Sequence, residues 1–121
     1  MKPEHVAYLL NFSLLTRIRH WQTTNYAEHM ALGALYDALD EFIDSWVEKQ
    51  QGASSSRLVI PAGMNLALDN ISGDDYKGML FSFDTYLRQT LVAGGDGTEF
   101  VNMRDDLLAK VKQAQYLLSL M

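Results

Sequence analysis

The strongest constraint on this chain is the spacing of its apolar residues, which recur every three or four positions in separate blocks, the pattern of amphipathic helices rather than strands. Pro3 at a first helical position, followed by Val6, Leu9, Leu10, Leu14, Ile18 and Trp21, predicts a helix over about 3–22. Asn25 has the chemistry of an N-cap, with Glu28 three residues on as its capping-box partner, and Gly52 is a natural stop. The second helix is therefore expected over about 26–51. With roughly three residues between them, the first two helices should be antiparallel neighbours.

The pattern then breaks. Residues 53–73 carry Ser54-Ser55-Ser56, Pro61, Gly63 and Gly73 with no sustained period, and read as a connection with apolar anchor points. Periodicity returns over about 74–93 (Tyr76, Met79, Leu80, Phe83, Leu87, Leu91). After Gly94-Gly95-Asp96-Gly97 it returns again over about 98–120 (Phe100, Met103, Leu107, Leu108, Val111, Ala114, Leu117, Leu118), where Asp96 and Glu99 suggest a cap. A second helix of this length is ~40 Å long, and ~20 extended residues can cover that distance. Short first and last turns with a long middle connection thus predict one all-α domain over 1–121, a ferritin-like four-helix bundle with a long crossover between the second and third helices.

Composition narrows the function. The 121 residues include no cysteine, so thiolate metal sites and cysteine nucleophiles are excluded, while a domain of this size still buries enough surface to need no disulfide. The net charge of -5 argues against a nucleic-acid coat, because phosphate affinity comes from Lys and Arg. No apolar run approaches the ~20 residues of a membrane span, and Met1-Lys2-Pro3-Glu4-His5 lacks a signal-peptide plan. The expected setting is a cytoplasm, of a cell or of an infected host.

Among three histidines, His20 and His29 stand beside useful neighbours, whereas His5 has no evident partner. Counted from His29 at 100° per residue, Asp40 falls at about 20°, Asp44 at about 60°, Asp37 at about 80° and Glu48 at about 100°. One helix face thus carries a histidine at one end and acids along the rest. Asp44 and Glu48, spaced i, i+4, can direct two oxygens at one cation, and imidazole with carboxylate suits Fe, Mn or Zn. The same row also reads as the solvated face of an amphipathic helix. His29 and Asp44 lie ~22 Å apart along a continuous helix, so they share an ion only between two chains whose second helices pack antiparallel about a twofold axis near residue 37 or 38. Ala27, Ala31, Ala34, Ala38 and Ser45 form a small-residue seam that would let helices approach.

These residues resemble the Dps (DNA protection during starvation) branch of the ferritin-like superfamily. That family has a His-Trp pair ending its first helix, a second His early in the next, and D-x-x-x-E at plus fifteen and plus nineteen from it. His20-Trp21, His29, Asp44 and Glu48 meet those offsets, and Gly97-Thr98 with Gln113-Ala-Gln-Tyr-Leu-Leu are similar to its last helix. The resemblance implies a homo-oligomer with an intersubunit ferroxidase centre, iron being held by His20 and His29 of one chain and by Asp44 and Glu48 of the other. The chain departs from that family in a His20 to His29 spacing of nine residues, in Asp44-Ser-Trp-Val-Glu48-Lys49 and in lacking a Lys-rich tail, and with Tyr26-Ala-Glu-His29 and Asn102-Met-Arg-Asp-Asp106 it is closer in character to small ferritin-like proteins of tailed phages. A second reading keeps the bundle without the chemistry: a non-enzymatic oligomer that binds a small anionic ligand such as a nucleotide, or a host protein, through Arg17, Arg19, Arg104, Trp21 and Tyr26. Met30, Met64, Met79 and Met103 fall on apolar stripes and are expected in the core. Ser54 to Ser56 lack a base and acid nearby and carry no nucleophile expectation.

Overall fold

A computed structural model describes residues 1–92 and 96–121 of the chain. Their regular structure is entirely helical: α1 (Pro3–Gln22), α2 (Tyr26–Ser54), α3 (Gly73–Tyr86) continued by a π-helical stretch (Leu87–Leu91), and α4 (Thr98–Ser119). The start of α2 follows from its cap, since the Asn25 side chain accepts the Glu28 amide at 2.9 Å. Its end corrects the expected stop at Gly52. The helix runs past that glycine, and the left-handed residue that closes it is Ser55, at φ 56°. Side chains stabilise this exit: Ser54 Oγ donates to the Gln50 carbonyl, and Gln51 Oε1 accepts the Leu58 amide. At the head of α3, Ser72 accepts the Asp75 amide. The cap expected from Asp96 does not form; α4 starts from Gly97 without a side-chain cap. The turn expected at Gly94-Gly95, and residue 93 at the expected end of the third helix, lie outside the described residues.

Side-chain pairings fix how the helices run. Ser13 and Arg17 meet Asp40 while His20 meets His29, so α1 and α2 are antiparallel. Phe12 stacks near Tyr76 and Phe83, and His5 and Tyr8 meet Tyr86, so α3 runs antiparallel to α1. Arg104 reaches the Val92 carbonyl and Lys112 reaches Asp84, which sets α4 antiparallel to α3. The core between them is aliphatic and aromatic: Leu9, Leu32, Leu39, Leu80, Phe83 and Val111 are completely enclosed. Each such side chain contributes about 1.5–3 kcal/mol of burial, so the interior rather than helix propensity holds the bundle. Trp46, next to the acid row in sequence, belongs to this core.

The later part of the segment between α2 and α3 is tied to α1. The Ala67 amide donates to Asn11 Oδ1, Asn70 Oδ1 accepts from Gln22 Nε2, and the Ile71 carbonyl accepts from Arg19. It therefore delivers α3 beside the α1–α2 turn. Among the described residues, no helix is long and apolar enough to cross a membrane.

Candidate functional site

The tight turn between α1 and α2 builds the site. The Thr23 amide closes α1 on the Arg19 carbonyl, Thr23 Oγ1 accepts the Asn25 amide, and Asn25 caps α2, so three residues reverse the chain. The last turn of α1 and the first of α2 then lie side by side. His20 and His29 stack with ring centroids 3.8 Å apart and planes 15° from parallel. Their hydrogen bonds are reciprocal: His20 Nδ1 donates to the His29 carbonyl at 2.6 Å, and His29 Nδ1 to the His20 carbonyl at 2.9 Å. A carbonyl only accepts, so both Nδ1 atoms carry the proton and, in the neutral rings, both Nε2 atoms keep a lone pair. Gly33 makes room for this. A Cβ there would sit 3.0 Å from His20 Cε1. His20 also meets Tyr36 edge-on, and the Tyr36 ring is covered by the Arg17 guanidinium at 4.6 Å.

The acid row divides among neighbours. Asp40 turns to α1, accepting from Ser13 at 2.8 Å and Arg17 at 2.5 Å. Asp37 and Glu41 border a groove against α4. Asp44 and Glu48 stay exposed and form no ion pair among the described residues. Thus the structure brings His20 to His29 and leaves Asp44 and Glu48 on successive turns of α2. Among the described residues, no group of three or more His, Asp or Glu is placed to hold a metal within one chain. Of the small-residue seam, Ala31 is buried in the angle between α2 and α4, Ala38 and Ser45 are half-buried, and Ala27 and Ala34 are exposed.

Other residues were misjudged or missed by the sequence reading. Glu28, expected to close a capping box, is completely buried and instead accepts Arg19 Nε and Nη2 at Oε1, at 3.0 and 2.6 Å. Its Oε2 has no hydrogen-bond partner among the described residues. The signal was available, because Glu28 projects along α2 in line with Leu32, Leu35 and Leu39. Tyr76, enclosed beside this pair, shares a 2.7 Å hydrogen bond with Thr16, and burial pushes its hydroxyl pKa far up. His5 does have a partner, the Tyr86 hydroxyl at 2.6 Å. Arg17, Arg19 and Arg104 are each engaged with internal acceptors. Met79 and Met103 pack on the core as expected, but Met30 is 53% exposed beside Tyr26, 75% exposed, on α2. Trp21, near the end of α1, is 66% exposed.

A model of the Family of unknown function (DUF5856) matches residues 20–118. No curated protein and no solved structure matches the chain.

Proposed function

We propose that this chain, which belongs to the Family of unknown function (DUF5856), is a ferritin-like iron-binding protein of the Dps type that oxidises Fe(II) at a site shared between two copies. The observation that carries the reading is the His20–His29 stack, whose Nδ1 protons are held by carbonyls while both Nε2 atoms are left to ligate. That tautomer is the one a ligating histidine adopts when its second nitrogen donates to a carbonyl. Rings within 15° of parallel do not converge their in-plane lone pairs on one ion, so each imidazole would serve its own.

Asp44 and Glu48 supply the hard oxygen donors that favour Fe(III), and they have no competing cation on their own chain among the described residues. An antiparallel pairing of two α2 helices near residue 37 would bring them to the histidines of a partner subunit. Each Fe(II) would then give one electron to dioxygen or hydrogen peroxide. The net charge of -5 raises the local cation concentration and so favours Fe(II) capture. The ferritin-like assignment draws support from the packing of α1 on α2 and α3, that of α4 on the same two, and the hydrogen bonds that tie the long connection to α1. The proposed setting is a cytoplasm, and a phage origin would make it that of the host.

The exposed Trp21, Tyr26 and Met30 favour a second reading, a non-enzymatic oligomer that binds a host protein. A small-anion version has less behind it, because its arginines are already engaged. Anaerobic Fe(II) titration of metal-free protein, followed by oxygen, separates the readings. Saturable binding, oxidation faster than in buffer, and loss of both in Asp44→Ala/Glu48→Ala are expected, with light scattering reporting an oligomer. Oxidation that survives this double substitution would falsify the site, and absence of binding would leave the binding-protein reading.

A further inference from the structure

We propose that the groove between α2 and α4 is a docking site for a basic amphipathic helix of another protein. The proposal does not rest on the iron reading. Two adjoining cavities of about 440 and 320 Å³ share Ala38, Glu41 and Lys110 and form one trough on the outer side of these helices. Along α2 the trough extends from Ala31 to Ser45, which at 1.5 Å per residue is about 21 Å, the length of roughly four helical turns.

The lining identifies the occupant. Its walls are two helices whose backbone groups bond internally, so no sheet edge is offered to an extended peptide. Among the described residues no tyrosine or tryptophan lines it, which removes the aromatic clefts that polyproline segments use. Ala34, Ala38 and Ala109 are small enough for a third helix axis to approach closely, above an apolar floor that includes Phe42 and Leu107. The rim carries three carboxylates, Asp37, Glu41 and Asp106, against one ammonium, Lys110. All three acids are exposed, and none forms an ion pair among the described residues. That charge pattern selects a partner helix flanked by Lys and Arg.

The test uses the full chain and three synthetic peptides of about sixteen residues. The first has a Leu/Ala stripe opposite an Arg-rich face, the second is its scrambled form, and the third replaces each Arg by Glu. Calorimetric titration should show the first binding at one per chain with a gain of helical ellipticity, and weakening between low and moderate salt. The scrambled and acidic peptides should bind at least about tenfold more weakly. Ala109→Trp, which fills the trough from an exposed position, and Glu41→Lys/Asp106→Lys should each reduce binding of the first peptide by about tenfold or more while leaving the far-ultraviolet spectrum unchanged. Three results overturn the proposal: no binding of the first peptide, equal binding of the scrambled peptide, or binding unmoved by Ala109→Trp. A light-scattering mass that halves in Ala109→Trp also overturns it, by assigning the trough to a second copy.

Discussion

Arg19→Met isolates the ion pair whose carboxylate is completely buried. The guanidinium bridges three parts of the chain: it sits on α1, donates twice to Glu28 of α2, and reaches the Ile71 carbonyl just before α3. Glu28 is fully enclosed, whereas the Arg19 side chain is 19% exposed. Removing one partner of a buried pair costs about 3–5 kcal/mol, because the other charge is left without compensation. The partial exposure of Arg19 places the expected loss at the lower end, about 3 kcal/mol. For a chain of this size that corresponds to a fall in melting temperature of about 10–15 °C. Urea unfolding followed by ellipticity at 222 nm measures it, with an unchanged slope showing that the folded state is preserved. Arg19→Met/Glu28→Leu removes both charges and should recover most of the loss, since no orphaned carboxylate remains. A single-variant loss below about 1 kcal/mol, or a double variant no more stable than the single one, would refute the reasoning.

Three further outcomes are expected. Gly33→Ala gains about 1 kcal/mol of helix propensity, but it pushes a Cβ against a His20 ring already held by its stack on His29 and its contact with Tyr36. The net should be a loss of about 1 kcal/mol, and the protected Nδ1 proton of His20 should vanish from the nuclear magnetic resonance spectrum; a retained signal would show that the ring is not seated on Gly33. Asn25→Ala should cost about 1 kcal/mol in thermal or urea unfolding, and no change would mean that the cap is not formed in solution. Burial, with Lys2 nearby, holds the His5 imidazole below its ordinary value of 6.5. The unfolded chain therefore binds the proton first, so the His5 contribution is present above pH 6.5 and is lost as pH falls through the folded value. His5→Gln should flatten that part of the stability profile, and an unchanged slope would assign it to another group.

How far the sequence predicted the structure depended on whether a feature is set by local spacing or by a partner distant in the chain. The bounds of α1 and the start of α2 rest on Pro3 and Asn25, local chemistry that a sequence displays directly. His20 and His29 were paired only through the resemblance; what brings them together is the three-residue turn between α1 and α2. Their reciprocal carbonyl bonds were not recognisable, since these depend on how the two helices sit side by side. The fate of Asp40 was hidden for the same reason: its place on the acid row is local, but Ser13 and Arg17 are 27 and 23 residues away. His5 shows the extreme case, with a partner 81 residues distant. Glu28 was misread because one signal, the capping-box spacing, hid another, its place on the apolar face of α2.

The π-helical stretch at Leu87–Leu91 has a consequence for chain length. Its Val92 amide bonds back to the Leu87 carbonyl, five residues earlier, so this turn holds one residue more than an α-helical turn would. Leu87, Leu91 and Val92 are buried, while Arg88, Gln89 and Thr90 face solvent. The extra residue is therefore accommodated on the outside, where no packing depends on it. Deleting Gln89 would let the turn relax to ordinary α-helix with the buried leucine and valine kept inward. Sequences one residue shorter at this point can then adopt the same bundle, and an alignment gap here would mark a change of helical pitch rather than a change of fold.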